Sequence, residues 1–124
     1  MTGSEMMNKA LTLLGYTSDF GRTSAEQRFI SRAIFVLNSI YADLYYTQKN
    51  SGFEALENLE DEILLSERIL NDVMPYGVAM LFAESESDGD NQQLFSMLYN
   101  QKRLSLTSGD NVKDVIPAPN WMVK

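Results

Sequence analysis

The chain contains no cysteine and no histidine in 124 residues. The first absence excludes a disulfide, a thiolate nucleophile and any cysteine-based metal site. It is compatible with a reducing compartment such as the cytoplasm. The second removes the commonest general base and the commonest transition-metal ligand. Long apolar runs are missing too. The longest without a charge near its centre spans 73–83, about half of the ~20 residues that a membrane-crossing helix needs. The first fifteen residues, MTGSEMMNKALTLLG, put an acid ahead of the apolar stretch and offer no small-residue cleavage site. They read as a helix and not as a signal peptide.

Basic residues are few, and acids are concentrated. Ten Lys/Arg stand against 17 Asp/Glu, a net charge of −7. Residues 1–53 sum to +1, residues 54–90 to −10 and residues 91–124 to +2. Tight wrapping of nucleic acid needs clustered Lys and Arg, so the acidic middle argues against that class. It is compatible with DNA that slides past without sticking. A solvated acidic face that aids solubility is the plain alternative.

What is present is the balance of a soluble globular protein, 44% apolar and 22% charged, at the length of one ordinary domain. The patterning is helical. Thr2 and Glu5 have capping-box spacing, and Met6, Met7, Ala10, Leu11 and Leu14 share one face of a helix expected over 4–14. Gly15 suits the residue just past its end. Thr23 and Glu26 repeat the capping-box spacing ahead of a second helix. There Phe29, Ile30, Ala33, Ile34, Leu37, Ile40, Tyr41, Leu44 and Tyr45 make a 3.6-residue stripe for about five turns. That length marks it as the central helix, ending near Lys49 before Asn50, Ser51 and Gly52. Arg28, Arg32 and Asp43 lie off the stripe and are expected in solvent.

Residues 53–71 read as a carboxylate-rich linker anchored by Phe53, Leu56, Leu59, Ile63, Leu64 and Leu65, with room for one helical turn over 56–59. A hairpin is disfavoured there because Glu and Asp are poor strand formers. Ser66 offers an N-cap to a short turn. Asp72 is the expected N-cap of a third helix running to about Glu86, with Pro75 at its third position. The alternative is one longer helix from Ser66 kinked at Pro75. Val73, Met74, Val78, Met80, Leu81, Phe82 and Ala83 are apolar nearly all round, which implies burial on more than one side, in the core or in a subunit interface. After the turn Ser87-Asp88-Gly89, Asp88 or Asp90 caps a last helix. Its inner face is expected to be Leu94, Phe95, Leu98 and Tyr99, with Gln92, Gln93, Asn100, Gln101, Lys102 and Arg103 outside and an end by Ser108 and Gly109.

The segment 110–124 is different. Pro117 and Pro119 favour an extended path. Val112, Val115, Ile116 and Trp121 make it too apolar for a solvated tail. The expected fold class is therefore all-α: a small bundle of four to five helices with a long central helix over 1–109, and an extended C-terminal tail over 110–124.

Candidate chemistry is sparse. The run Glu84-x-Glu86-x-Asp88-Gly89 superficially resembles the start of a calcium loop. It places Glu at the first position and Phe95 at the twelfth, where such a loop needs Asp and a bidentate Glu. An acidic helix end and an Asx-type turn explain it. Glu60, Asp61 and Glu62 could pair for acid–base work, but no nucleophile or oxyanion donor accompanies them. Tyr41, Tyr45 and Tyr46 are at helical spacing with no basic flank, so two of them read as core and not as a base-stacking platform. No enzyme activity, metal or cofactor is expected.

The residues Asp72-Val73-Met74-Pro75-Tyr76-Gly77-Val78-Ala79-Met80, then Glu86-x-Asp88-Gly89-Asp90-Asn91 and Tyr99-Asn100-Gln101-Lys102-Arg103, resemble a tailed-phage pattern. They are similar to the head–tail connector (adaptor, head-completion) proteins of siphoviruses and prophages, which are related to packaged-DNA stabilisation proteins. The earlier LTLLG and IFVLNSIYADL segments fit as well, so the resemblance covers about residues 5–106. It implies a helical subunit, without catalytic residues, that forms a ring beneath the portal, often of twelve copies. Such a ring extends the DNA channel and carries a further neck or tail-completion protein. The implied location is the virion neck, with host cytoplasm before assembly. Under this reading Val112, Val115, Ile116 and Trp121 dock on the portal or a neighbour. Tyr76, Met80 and Phe82 pack between subunits, and Glu84, Glu86 and Asp88 face the channel past which DNA moves. The other reading is a helical binding or regulatory module of a phage operon, for example terminase-associated, that forms no ring. A helix-turn-helix is disfavoured because no basic recognition helix is evident.

Overall fold

A computed structural model describes residues 1–15, 27–48 and 51–111, the side chains of 27–28 and 107–111 excepted. The described residues form five helices and no sheet: α1 Gly3–Leu14, α2 Gln27–Thr47, α3 Glu67–Asp72, α4 Met74–Ser85 and α5 Gly89–Asn111. The expected all-α bundle is the observed one. Among the described residues no helix is long and apolar enough to cross a membrane. The Thr23–Glu26 cap and the tail from Val112 onward lie outside the described residues.

Local signals account for α1. The Thr2 hydroxyl accepts the Glu5 N–H at 3.2 Å, and the Glu5 carboxylate accepts the Thr2 N–H at 2.9 Å. This reciprocal pair satisfies two of the donors that a helix start leaves open. Gly15 closes the helix at φ 76°, donating its N–H to Leu11 and Thr12. Met6, Met7, Ala10 and Leu14 are buried on the expected face.

The linker between α2 and α3 carries no helical turn at 56–59. Its own side chains organise it instead. The Asp61 carboxylate accepts the Glu57 and Asn58 N–H groups, and the Asn58 side chain accepts that of Glu60. Such Asx contacts offer the backbone an alternative to the helical ladder. Two ties hold the linker on α2. The Asn38 amide donates to Leu56 O at 3.0 Å and accepts the Leu56 N–H at 2.8 Å, and the Tyr41 hydroxyl accepts the Leu64 N–H at 3.0 Å. The linker also meets α1, since Asp61 and Leu59 carbonyls accept the Gly3 and Ser4 N–H groups.

At Pro75 the structure falls between the two expectations. Asp72 ends α3, Val73 stands alone at φ −119°, and Pro75 is the second residue of α4. Asp72 is therefore not the N-cap. Ser66 caps the short α3, accepting the Ile69 N–H at 3.4 Å. Proline has no N–H to extend the α3 ladder, so the chain restarts one residue before it.

The hub of the bundle is α4, not the longer α2: all four other described helices pack against it. The reason is the one the sequence offered for burial. A helix with one apolar stripe has one face to bury, while α4 is apolar nearly all round and takes partners on several sides. Met74, Val78, Ala79, Phe82 and Ala83 are fully enclosed. Phe29 of α2 meets Phe82 edge-on at 5.5 Å, a favoured aromatic arrangement.

The turn from α4 to α5 is a Schellman motif. Asp88 donates to Ala83 O and Ser87 to Glu84 O, with Ser87 left-handed at φ 58°. The Asp88 carboxylate then caps α5, accepting the Asn91 N–H and side-chain amide at 3.4 and 2.8 Å. Of the two expected caps, Asp88 is the one used. Helix α5 also runs past the expected end to Asn111; one interior Gly109 costs only about 1 kcal/mol.

Candidate interaction surfaces

Two polar clusters tie the helices together. On the flank of α2, Asp43 accepts the Tyr99 hydroxyl at 2.7 Å and the Arg103 Nε and Nη2 at 2.7 and 2.9 Å. Asp43 and Arg103 were expected in solvent. They instead form a two-toothed pair, 37% and 36% exposed, that joins α2 to α5. Burial alone would raise the Asp43 carboxyl. The hydrogen bonds from Arg103 and Tyr99 and the charge of Arg103 outweigh it, and the net shift is downward. Burial, then the hydrogen bond to Asp43 and its charge, pushes the Tyr99 hydroxyl far up, so it stays a donor. The hydrogen bond to Asp43 raises Arg103 in turn.

Arg32 was also expected in solvent. It pairs with Glu86 at 2.6 Å and lies over the Phe82 and Phe29 rings at 4.6 and 5.7 Å. A guanidinium over aromatic faces gains from the ring quadrupole. Lys102 sits 4.5 Å over the Tyr76 ring and does not simply face out.

The residues expected to form the acidic channel face thus have different local roles. Glu84 is exposed at the end of α4, Glu86 pairs with Arg32, and Asp88 caps α5. Of the residues expected between subunits, Phe82 is fully enclosed by its own chain and leaves no surface for a neighbour. Tyr76 and Met80 are half-buried, Tyr76 beside Phe95 at 6.0 Å. Val112, Val115, Ile116 and Trp121 lie outside the described residues.

Among the described residues, no group of three or more acidic, His or Cys side chains that could hold a metal lies together. Two other hydroxyls on the Asp43 side of α2 bond to their own helix, Ser39 to Phe35 O and Thr47 to Asp43 O. Of the three tyrosines near the end of α2, Tyr41 is buried, Tyr45 is half-buried and Tyr46 is 56% exposed. Phe53 sits among them at 4.9–5.9 Å.

Two apolar stripes on the surface were not expected. On α2, Phe35 is 71% exposed and shares a helical row with Ser39, Ala42 and Tyr46. On α5, Leu94, expected on the inner face, is instead 45% exposed and shares a row through Gln101 with Met97 and Leu104, 54% and 62% exposed. The spacings i, i+4, i+7, i+11 and i, i+3, i+7, i+10 could have revealed both rows. The stronger stripe on each helix masked them. Single exposed apolar residues are ordinary; two rows of them make candidate contact surfaces.

Compared with protein-family models, with curated proteins and with solved structures, the chain has no match.

Proposed function

We propose that this chain is a subunit of a tailed-phage neck. It is a head–tail connector that adds to the portal as a ring, extends the DNA channel and carries the next neck or tail-completion protein. The observation that carries the reading is the pair of exposed apolar rows on different helices, α2 and α5. A ring of identical subunits needs two different patches on each, one to give and one to receive. A chain with one such patch would stop at a dimer. The 72–103 resemblance selects a phage neck among ring-forming proteins. The −10 charge of residues 54–90 fits a channel that lets phosphate pass without holding it.

The test mixes the full chain with a portal ring from the same genome and follows assembly by sedimentation and electron microscopy. Addition of a second ring is expected. M97D and L104D, both at exposed positions, should keep the helix content and abolish the ring. Failure of the wild type to add to the portal would overturn the proposal. Tight, salt-sensitive binding to duplex DNA would favour a non-ring regulatory module instead.

A further inference from the structure

An open groove of about 1050 Å³ runs along the outer side of α1, bounded by the linker at 62–65, by α3 and by Tyr76 at the start of α4. Its floor is apolar where it is most exposed: Leu64 is 71% and Leu13 38% accessible. Its rim is acidic, with Glu5, Glu62 and Glu67 outnumbering Lys9 and the Met1 amino group. No described part of the chain covers it.

We infer that this groove is the seat of the chain's own residues 112–124. Three observations lead there. The first is reach. Lys102 stacks on Tyr76 at the groove's edge, so α5 passes that edge before ending at Asn111, about 14 Å of helix further on at ~1.5 Å per residue. The thirteen residues beyond span up to about 40 Å when extended. That is enough to return and run along the groove. The second is composition. Val112, Val115, Ile116, Trp121, Met122 and Val123 supply apolar side chains for the Leu13–Leu64 floor. The third is conformation. Pro117 and Pro119 stiffen an extended path, so less entropy is lost on docking. Seated there, the segment removes the most exposed leucine of the linker from water.

The consequence for assembly rests on the connector reading: a portal or neighbour that takes the segment must first displace it from this groove. The docking itself does not depend on that reading, and it can be tested on the isolated full-length protein. Trp121 is the only tryptophan, so its selectively excited emission reports the segment alone. The wild type should show blue-shifted emission, shielded from acrylamide. L64E should shift it red and raise quenching to the level of the urea-unfolded chain, with helix content unchanged, and L13E should act the same way. M97E, on the α5 row, should leave Trp121 shielded, and dilution should not alter the signal. The inference is overturned if Trp121 is fully accessible in the wild type, or if L64E and L13E leave its shielding intact. M97E unshielding it would also overturn it, because the segment would then sit elsewhere. So would loss of shielding on dilution, because a second copy would then supply the segment. A shielded Trp121 with no portal binding would sink the connector reading and leave this one standing.

Discussion

Gly77 is the tightest glycine among the described residues, and its substitution has a calculable sign. A Cβ there would lie 2.7 and 2.9 Å from Cε1 and Cδ1 of Tyr99, and 3.0 Å from Cδ1 of Ile40. Two effects oppose each other. In a helix interior Ala is favoured over Gly by about 1 kcal/mol. Overpacking a filled site costs about 1–3 kcal/mol. Relief would require the Tyr99 ring to swing away, but its hydroxyl is anchored to Asp43 at 2.7 Å. Giving up that bond forfeits roughly a further 1 kcal/mol. Gly77→Ala is therefore expected to destabilise by about 1–2 kcal/mol in the wild-type background. Removing the ring should reverse the sign: in a Tyr99→Ala background the same substitution should stabilise, by up to about 1 kcal/mol. Tyr99→Phe keeps the ring and cuts the tether, so the penalty should fall between the two. Urea unfolding followed by circular dichroism gives all six stabilities, and the cycle isolates the coupling. The reasoning fails if Gly77→Ala is as stable as wild type, or if its effect is the same in all three backgrounds.

Two further outcomes follow from the electrostatics and the turn. The Asp43 carboxyl is held below its ordinary 3.8 in the folded protein, so it stabilises the fold above about that pH. The contribution is lost as pH falls through the depressed folded value. Asp43→Asn should therefore be less stable than wild type at neutral pH, with the gap closing below pH 4 in paired urea titrations; a gap that is flat with pH would refute the assignment. Ser87 holds the left-handed position of a Schellman turn at φ 58°, where a side chain costs about 1 kcal/mol. Ser87→Gly should raise stability by roughly half to one kcal/mol, and a lower thermal midpoint would contradict that.

The elements that were legible in the sequence are those whose cause is local. The α1 cap needs only Thr2 and Glu5, three residues apart, and its end needs only Gly15. The break near Pro75 is local as well, though its register was not. Whether the restart falls at Asp72 or Val73 depends on how α3 and α4 pack, which no single residue encodes. The polar ties were illegible for a different reason. Asp43 and Arg103 are 60 residues apart. Each sits off its helix's stripe, and periodicity assigns such positions to water. That rule holds for a helix alone; where a second helix lies alongside the stripe's edge, the off-stripe polar groups are the ones that meet.

Apolar residues carry the corresponding ambiguity. Periodicity identifies side chains that something should cover, but not the covering partner. Phe82 and Leu104 are both large apolar residues in helices. Phe82 is enclosed by its own chain and Leu104 is 62% exposed, so the first is core and the second is available to a neighbour. The difference comes from helix order around α4. Four described helices pack against it and enclose Phe82, while α2 and α5 each carry a second row of apolar residues turned away. The neighbouring residues Tyr76 and Gly77 show the same division. Gly77 lets Tyr99 lie flat against α4, and Tyr76 turns outward to Phe95 and Lys102. One residue of the pair sets the packing inside the bundle, and the other lines the groove beside α1.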